Sequence, residues 1–306
     1  MAIKEGLFHA AWNKVLADLE QQSWPEACLY VVATPIGNLA DISPRAIFAL
    51  NHADIIAAED TRSSRVLLNA WGISTPLMPA HRHNEAQAAQ EIIALLNEGK
   101  RVALVSDAGA PAVSDPGGRI VREVKKQGLA VKVIPGASAV IAALMGSGVT
   151  SDENPAFAFA GFVPQKAVAR QQWLRKWSAL DVPVVMFESP HRIQAFCKDL
   201  LLVCGPNRQL TIARELTKRF EQVTTLPVSE LENWFAEDEH HRLGEFVLIL
   251  EEAPKADENE LQVQADALLK ILLETVSVKD SARVAARVTG LARDALYSRA
   301  LELKDA

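Results

Sequence analysis

The chain has 306 residues, 49% of them hydrophobic and 23% charged, a length for about two domains and a composition that excludes a disordered, collagenous or coiled-coil protein. Its 32 Lys plus Arg against 38 Asp plus Glu leave a net charge of −6, opposite in sign to a protein that coats nucleic acid non-specifically, so any nucleic-acid contact must be local. The three cysteines, Cys28, Cys197 and Cys204, form no CxxC pair, which excludes a disulfide framework, argues against zinc and fits a reducing compartment.

Residues 1–28 read as an N-terminal extension. Charges at Lys4, Glu5, Lys14, Asp18 and Glu20 occupy the place where a signal peptide's apolar core would lie. The longest apolar stretch, 137–146, is far shorter than the roughly 20 residues of a membrane span, so a cytoplasmic protein without a span is expected. From Leu29 short β-branched runs end in Gly, Pro or an acid and alternate with helical segments, the pattern of an α/β protein with a mainly parallel sheet. The predicted strands are 29–33, 53–59, 101–107 and 130–136. A crossover helix after the second is capped by Asn84, turns Ile92, Ile93, Leu95 and Leu96 inward and stops at Gly99. The polar stretch GVTSDENP (148–155) separates a first subdomain, 29–150, from a second, 151–253, with strands at 157–163, 183–189, 209–215 and 245–252. Ser189 and Pro190 read as the N-cap and first position of a helix. EEAPKADENE (251–260) reads as a linker into a helical tail, 254–306. There a helix over Ser281–Thr289, a turn at Gly290 and a helix over Leu291–Leu301 suit either a helix-turn-helix or a plain hairpin.

No GxGxxG follows a strand and no GxxxxGK[ST] occurs, so nicotinamide and P-loop chemistry are poorly supported. Instead Gly/Pro loops stand at the carboxyl ends of strands, where open α/β sheets bind ligands: TPIGN (34–38), SDAGAP (106–111) with DPGG (115–118), and IPGAS (134–138). Each is either a turn or one wall of a cleft. Asp107, at a strand end beside Gly109, either accepts hydrogen bonds from a ligand or closes an Asx-turn. The charged strand ends AEDTR, with Glu59, Asp60 and Arg62, and ARELTKR, with Arg214, Glu215, Lys218 and Arg219, suit a surface ion-pair network or an acid/base rim. His81 and His83 lack a Cys or acidic partner at ligand spacing and read as a solvated loop, so no metal is expected. Between 165 and 177 four cations, Lys166, Arg170, Arg175 and Lys176, meet no acid and flank Trp173 and Trp177. That helix is either an RNA-touching face or a solvated face over buried tryptophans.

The ordered set LYVVATPIGNLADISPRA, AAEDTR, HRHNE, VSDAGAPAVSDPG, VIPGASA, GFVP, FESPHR, ARELTK and GEFVLIL resembles the tetrapyrrole-methylase-like class of S-adenosylmethionine-dependent methyltransferases. Within it, the set is similar to the bacterial branch that methylates the ribose 2′-hydroxyl of a cytidine in the decoding region of small-subunit (16S) ribosomal RNA. The resemblance implies two α/β halves with S-adenosylmethionine folded into the cleft between them, a homodimer, and a substrate presented by the assembled 30S subunit. It places the cofactor against Pro35 and Ile36, Asp107, Gly109 and Ala110, Ser138 and Ala139, and the strand ends at Phe187 and Ala213. It likens the tail to the helical extension of the RNA methylases, which argues against the alternative of a tetrapyrrole C-methyltransferase. A non-catalytic RNA-binding assembly factor is the other alternative. Ala110 replaces the usual Thr, Phe187 is preceded by Met186 where FYES is usual, and about 28 residues are added at the N-terminus. For proton removal from the hydroxyl, Glu59, Asp60, Arg62 and Lys218 are candidates: Lys218 as a base if burial and Arg219 depress its pKa, Asp60 to orient the ribose. An ion pair between the two segments would look the same in sequence.

Overall fold

The computed structural model describes residues 5–254 and 258–305. Residues 1–4 at the start of the extension, 255–257 in the linker and residue 306 lie outside the described residues. The chain divides into two compact units, 1–252 and 253–306.

The larger unit holds two five-stranded sheets. In the first, β1 (Cys28–Val32), β2 (Ile55–Ala58), β3 (Leu77–Pro79), β4 (Arg101–Val105) and β5 (Ala130–Ile134) run in the order β3-β2-β4-β1-β5, every pair parallel. Strand alternation explains why LYVV and VALV carry no polar residue. Tyr30, Val32, Ala103 and Val105 face one core with α2 (Pro44–His52) and α3 (Thr61–Ala70), while Leu29, Val31, Val102 and Leu104 face a second with α4 (Glu85–Asn97) and α5 (Gly118–Lys126). Ser43 caps α2 by accepting from the Ala46 amide, with Pro44 at the first turn. The extension contributes α1 (Glu5–Glu20). It is pinned where Trp24 Nε1 donates to Leu19 O at 2.8 Å and the Trp24 ring packs on Phe48.

α6 (Ala139–Ser147) leads to the second sheet, which contains β6 (Ala158–Phe162), β7 (Val184–Glu188), β8 (Gln209–Arg214), β9 (Gln222–Pro227) and β10 (Phe246–Leu250) in the order β6-β7-β10-β8-β9. β6 and β7 are parallel, and β10 runs antiparallel between β7 and β8. One face packs on α7 (Ala167–Trp177), α8 (Ile193–Cys204) and α9 (Leu231–Glu237); the other packs on α6 through Val140, Ala143 and Leu144.

Two expected details are corrected. Ser189–Pro190 does not open α8, which starts at Ile193; the Ser189 amide donates to Glu188 Oε1 and its hydroxyl accepts from Arg192, so it is occupied in the turn. Arg170 is not on an open cationic face. It is buried, and its guanidinium meets Asp199 at 2.6 Å, leaving Lys166, Arg175 and Lys176 exposed on that segment. Trp173 and Trp177 are half-buried against the core.

The second unit is three helices, α10 (Glu258–Leu273), α11 (Val278–Thr289) and α12 (Arg293–Asp305). They close over Ala265, Leu269, Ala282, Ala285, Leu296 and Ala300, of which the four alanines permit close helix approach. Ser277 caps α11, and Gly290 ends it at φ +74°, where a side chain would be strained. A fork from Arg299 to both Asp266 oxygens ties α12 to α10.

Candidate functional site

The carboxyl ends of the first sheet deliver the three Gly/Pro loops to one place. Thr34 and Gly109 exchange both backbone hydrogen bonds, at 2.9 and 3.0 Å, which joins the first loop to the second. Gly109 sits at φ +74°, and a Cβ there would stand 3.2 Å from Ile36 Cγ2, so glycine meets both the conformational and the packing demand. Gly136 of the third loop lies as close to Ala33.

Opposite these loops stand the ends of β7 and β10. Between the two walls is a cleft of about 380 Å³, bounded by Asp107, Ala110, Ser138 and Phe187 and by Glu59, Asp115 and Glu245. Its apolar side continues into a core that Ile36, Ala139, Phe187 and Ala213 share with Val140 and Val247. Thus Asp107, Ala110, Ser138 and Phe187 of the expected cofactor set line the cleft directly, Ile36, Ala139 and Ala213 back it, and Gly109 shapes the loop. Pro35 is buried in the first loop. The side chain of Ser138, N-cap of α6, makes no cap hydrogen bond, which leaves first-turn amides uncapped in a helix start where Ser138 and Val140 border the cleft.

The cleft is acidic for a structural reason: β2 and β4 are adjacent and parallel, so their terminal acids meet. The Asp60 amide donates to Asp107 Oδ1 at 3.1 Å, and the Asp107 amide donates to Glu59 Oε2 at 3.4 Å. Burial raises the pKa of Glu59 against the hydrogen bond from the Asp107 amide, with further upward pressure from the charges of Asp107, Asp115 and Asp60. Burial and Asp107 likewise raise Asp115 against a hydrogen bond from Ser106.

Of the four candidates for proton chemistry, only Glu59 lines the cleft. Asp60 is the N-cap of α3 and is held by Arg62, through its backbone amide at 2.8 Å and an ion pair at 2.8 Å; hydrogen bonds from the Arg62 side chain bring its pKa down to about 2. Arg62 points to solvent with 90% of its side chain exposed. Lys218 corrects the expected direction. Although burial favours its neutral form, hydrogen bonds to Glu245 and Glu215 prevail and raise its pKa. Its Nζ lies 2.9 Å from Glu215 Oε1 and 2.9 Å from Glu245 Oε2, and its stem crosses Gly37, where a Cβ would collide with it. The AEDTR and ELTKR segments therefore make separate ion pairs.

Sequence reasoning missed Asp115 and Glu245 as cleft residues. Asp115 carried a signal, an acid within DPGG; Glu245 carried none, because it arrives on antiparallel β10.

Comparison with known proteins returns one consistent answer. The model of the Tetrapyrrole (Corrin/Porphyrin) Methylases matches residues 28–232, and that of the RsmI C-terminal HTH domain matches 259–304. The chain is 46% identical over 277 residues to the ribosomal RNA small subunit methyltransferase I of Neisseria meningitidis serogroup A, covering 90% of this chain and 94% of that one. It is 43% identical to the protein of that name in Escherichia coli O157:H7, with the same coverage. Among solved structures it shares its fold with the uroporphyrin-III C-methyltransferase of Thermus thermophilus complexed with S-adenosyl homocysteine. The TM-score is 0.51 at 18% identity, over 72% of this chain and 96% of that one.

Proposed function

From a chain that belongs to the ribosomal RNA small subunit methyltransferase I family of the tetrapyrrole methylases, we propose an enzyme that moves a methyl group from S-adenosylmethionine to the ribose 2′-hydroxyl of a cytidine in the decoding region of 16S ribosomal RNA. It would act in the cytoplasm as a homodimer, on the RNA as presented by the 30S subunit. The observation that carries the reading is the acidic cleft at the meeting of the three loops, in a chain spanning 94% of its Neisseria relative.

The residues present suit the cofactor. Sulfonium and ammonium groups are cationic, and Glu59, Asp107 and Asp115 give the cleft the opposite sign. The open first-turn amides of α6 suit a carboxylate, and Phe187, Val140 and Val247 offer an apolar wall to a nucleobase. When bound, the cofactor supplies an electrophilic methyl group whose S–C bond breaks with both electrons going to sulfur.

This chain must then align the hydroxyl and receive its proton. Rigid loops clamped by the Thr34–Gly109 exchange provide alignment without further ordering. Glu59 is the proton acceptor in this reading, because a carboxylate whose pKa is raised is a stronger base than an ordinary one. As the O–C bond forms, the hydroxyl proton passes to Glu59 and on to solvent. Lys218 acts as a positioning residue, fixing Glu215 and Glu245 at the cleft wall.

The second unit favours RNA over a tetrapyrrole. It exposes Lys279, Arg283, Arg287 and Arg293, and it matches the RsmI C-terminal HTH domain. The test is transfer of label from methyl-labelled S-adenosylmethionine. Label in 2′-O-methylcytidine from small subunits supports the reading, and label in a tetrapyrrole or in no acceptor refutes it.

A further inference from the structure

The wall formed by Glu215, Lys218 and Glu245 has a second side. Glu245 borders the cleft, while Glu215 and the preceding Gly244 border a separate open groove of about 810 Å³. The wall is a built feature. The Glu245 amide donates to Glu215 Oε1 at 3.0 Å, Glu215 and Thr217 hold left-handed backbone at φ 50° and 65°, and a Cβ on Gly244 would collide with the Glu215 carboxylate. Strain of this kind persists only where the surroundings enforce it. Here it brings the segment after β8 across to the first loop and leaves the next two residues, Arg219 and Phe220, standing over the groove.

Those two residues are unusual for an exposed turn. Phe220 leaves 65% of its surface open to solvent. The Arg219 guanidinium lies 5.5 Å from the centre of that ring and makes no ion pair among the described residues. Behind them Arg214 is 6% exposed and fixes the groove's two banks, donating to Gln222 Oε1 at 3.2 Å and to His240 O at 2.7 Å. Its Nε is buried without a hydrogen-bond partner, a donor in the groove wall that is costly to leave unmet.

We propose that this groove binds single-stranded RNA beside the methylated nucleotide, one base stacking on Phe220 and the adjoining phosphate meeting Arg219. The inference rests on the RNA reading given above. An open aromatic ring beside an unpaired guanidinium is what a sequence-tolerant single-stranded site requires, since every base has a π-face and every linkage a negative charge. The groove's acids have partners within the fold: Glu215 pairs with the Lys218 ammonium, while Glu221 and Asp238 keep their charge and accept from the Thr217 and His240 amides. The groove shares a wall with the cleft, so RNA lying in it passes directly to the site of methyl transfer.

The experiment measures methylation of small subunits by the full-length wild type, Phe220→Ala, Phe220→Tyr and Arg219→Gln, with S-adenosylhomocysteine affinity measured by calorimetry for each. Phe220→Ala should raise KM for the subunit roughly 10-fold, as expected for loss of one stacked base, and Phe220→Tyr should restore it. Arg219→Gln should flatten the dependence of log KM on log salt by about 0.7, the share of one phosphate contact on a single strand. Cofactor affinity should be that of the wild type throughout. Unchanged KM and salt slope in an otherwise active enzyme would overturn the groove assignment alone. A wild type that binds cofactor yet methylates no subunit would overturn the RNA reading and the groove with it.

Discussion

Asp107→Ala separates the ligand role of the cleft acids from their structural role. Asp107 is exposed at the end of β4, and its carboxylate accepts one bond from this chain, the Asp60 amide at 3.1 Å. Losing that bond at an exposed position costs about 1 kcal/mol. The loss is offset in part because Asp107 repels Glu59 and Asp115, whose pKa values it helps to raise. The melting temperature should therefore fall by no more than about 4 °C. Cofactor binding should respond far more. A carboxylate bond to a charged or hydroxyl group contributes about 1.5–3 kcal/mol, so affinity for S-adenosylhomocysteine should drop roughly 10- to 150-fold. Calorimetry measures the affinity and scanning fluorimetry the stability. Asp107→Asn keeps an acceptor for the Asp60 amide and removes the charge, so it should retain wild-type stability and lose part of the affinity. Wild-type affinity in Asp107→Ala would reduce the residue to a turn-former and refute the placement of the cofactor here.

Glu59→Gln should lower single-turnover methylation by the roughly 10²–10⁴-fold typical of a general base, and the wild-type rate should climb with pH as Glu59 ionises above the ordinary carboxylate range. Since the folded-state pKa is raised, the stability contribution is whole below the unfolded pKa and lost as pH rises through the folded value, so Glu59→Gln should gain stability over wild type above that window, measurable by urea unfolding at several pH values. Asp199→Ala should strand the buried Arg170 charge and cost about 3–5 kcal/mol, read as a large fall in melting temperature, whereas an RNA-binding role for Arg170 would leave stability untouched. Deleting 254–306 should preserve calorimetric cofactor affinity while weakening subunit methylation and its salt dependence, because the segment from 276 onward carries six basic residues against four acidic ones.

Sequence was most informative where one local pattern determined the outcome. The runs at β1 and β4 are apolar without alternation because helices cover both faces, and the Gly/Pro loops after them could be read as a cleft because their backbone demands are local. Two of the four edge strands were invisible, while β5 and β6 were read: β3 is three residues ending in Pro79, and β9 is a polar run ending in Pro227. Long-range partners were equally hidden. Arg170 read as a surface cation because Asp199 lies 29 residues away. Lys218 read as a candidate for a depressed pKa because Glu245, which helps to hold it charged, is 27 residues distant. In the cleft, Glu59 and Asp107 were each visible as strand-end acids, but their contact depends on β2 and β4 being neighbours, a fact of sheet order.

The measurement that bears most directly on the central claim is a map of ribose 2′-O-methylation across small-subunit RNA from cells with and without this protein. The account predicts that one methylated cytidine in the decoding region is lost with the protein and returns when the wild-type chain, but not Glu59→Gln, is restored. An unchanged methylation map in cells lacking the protein would contradict it.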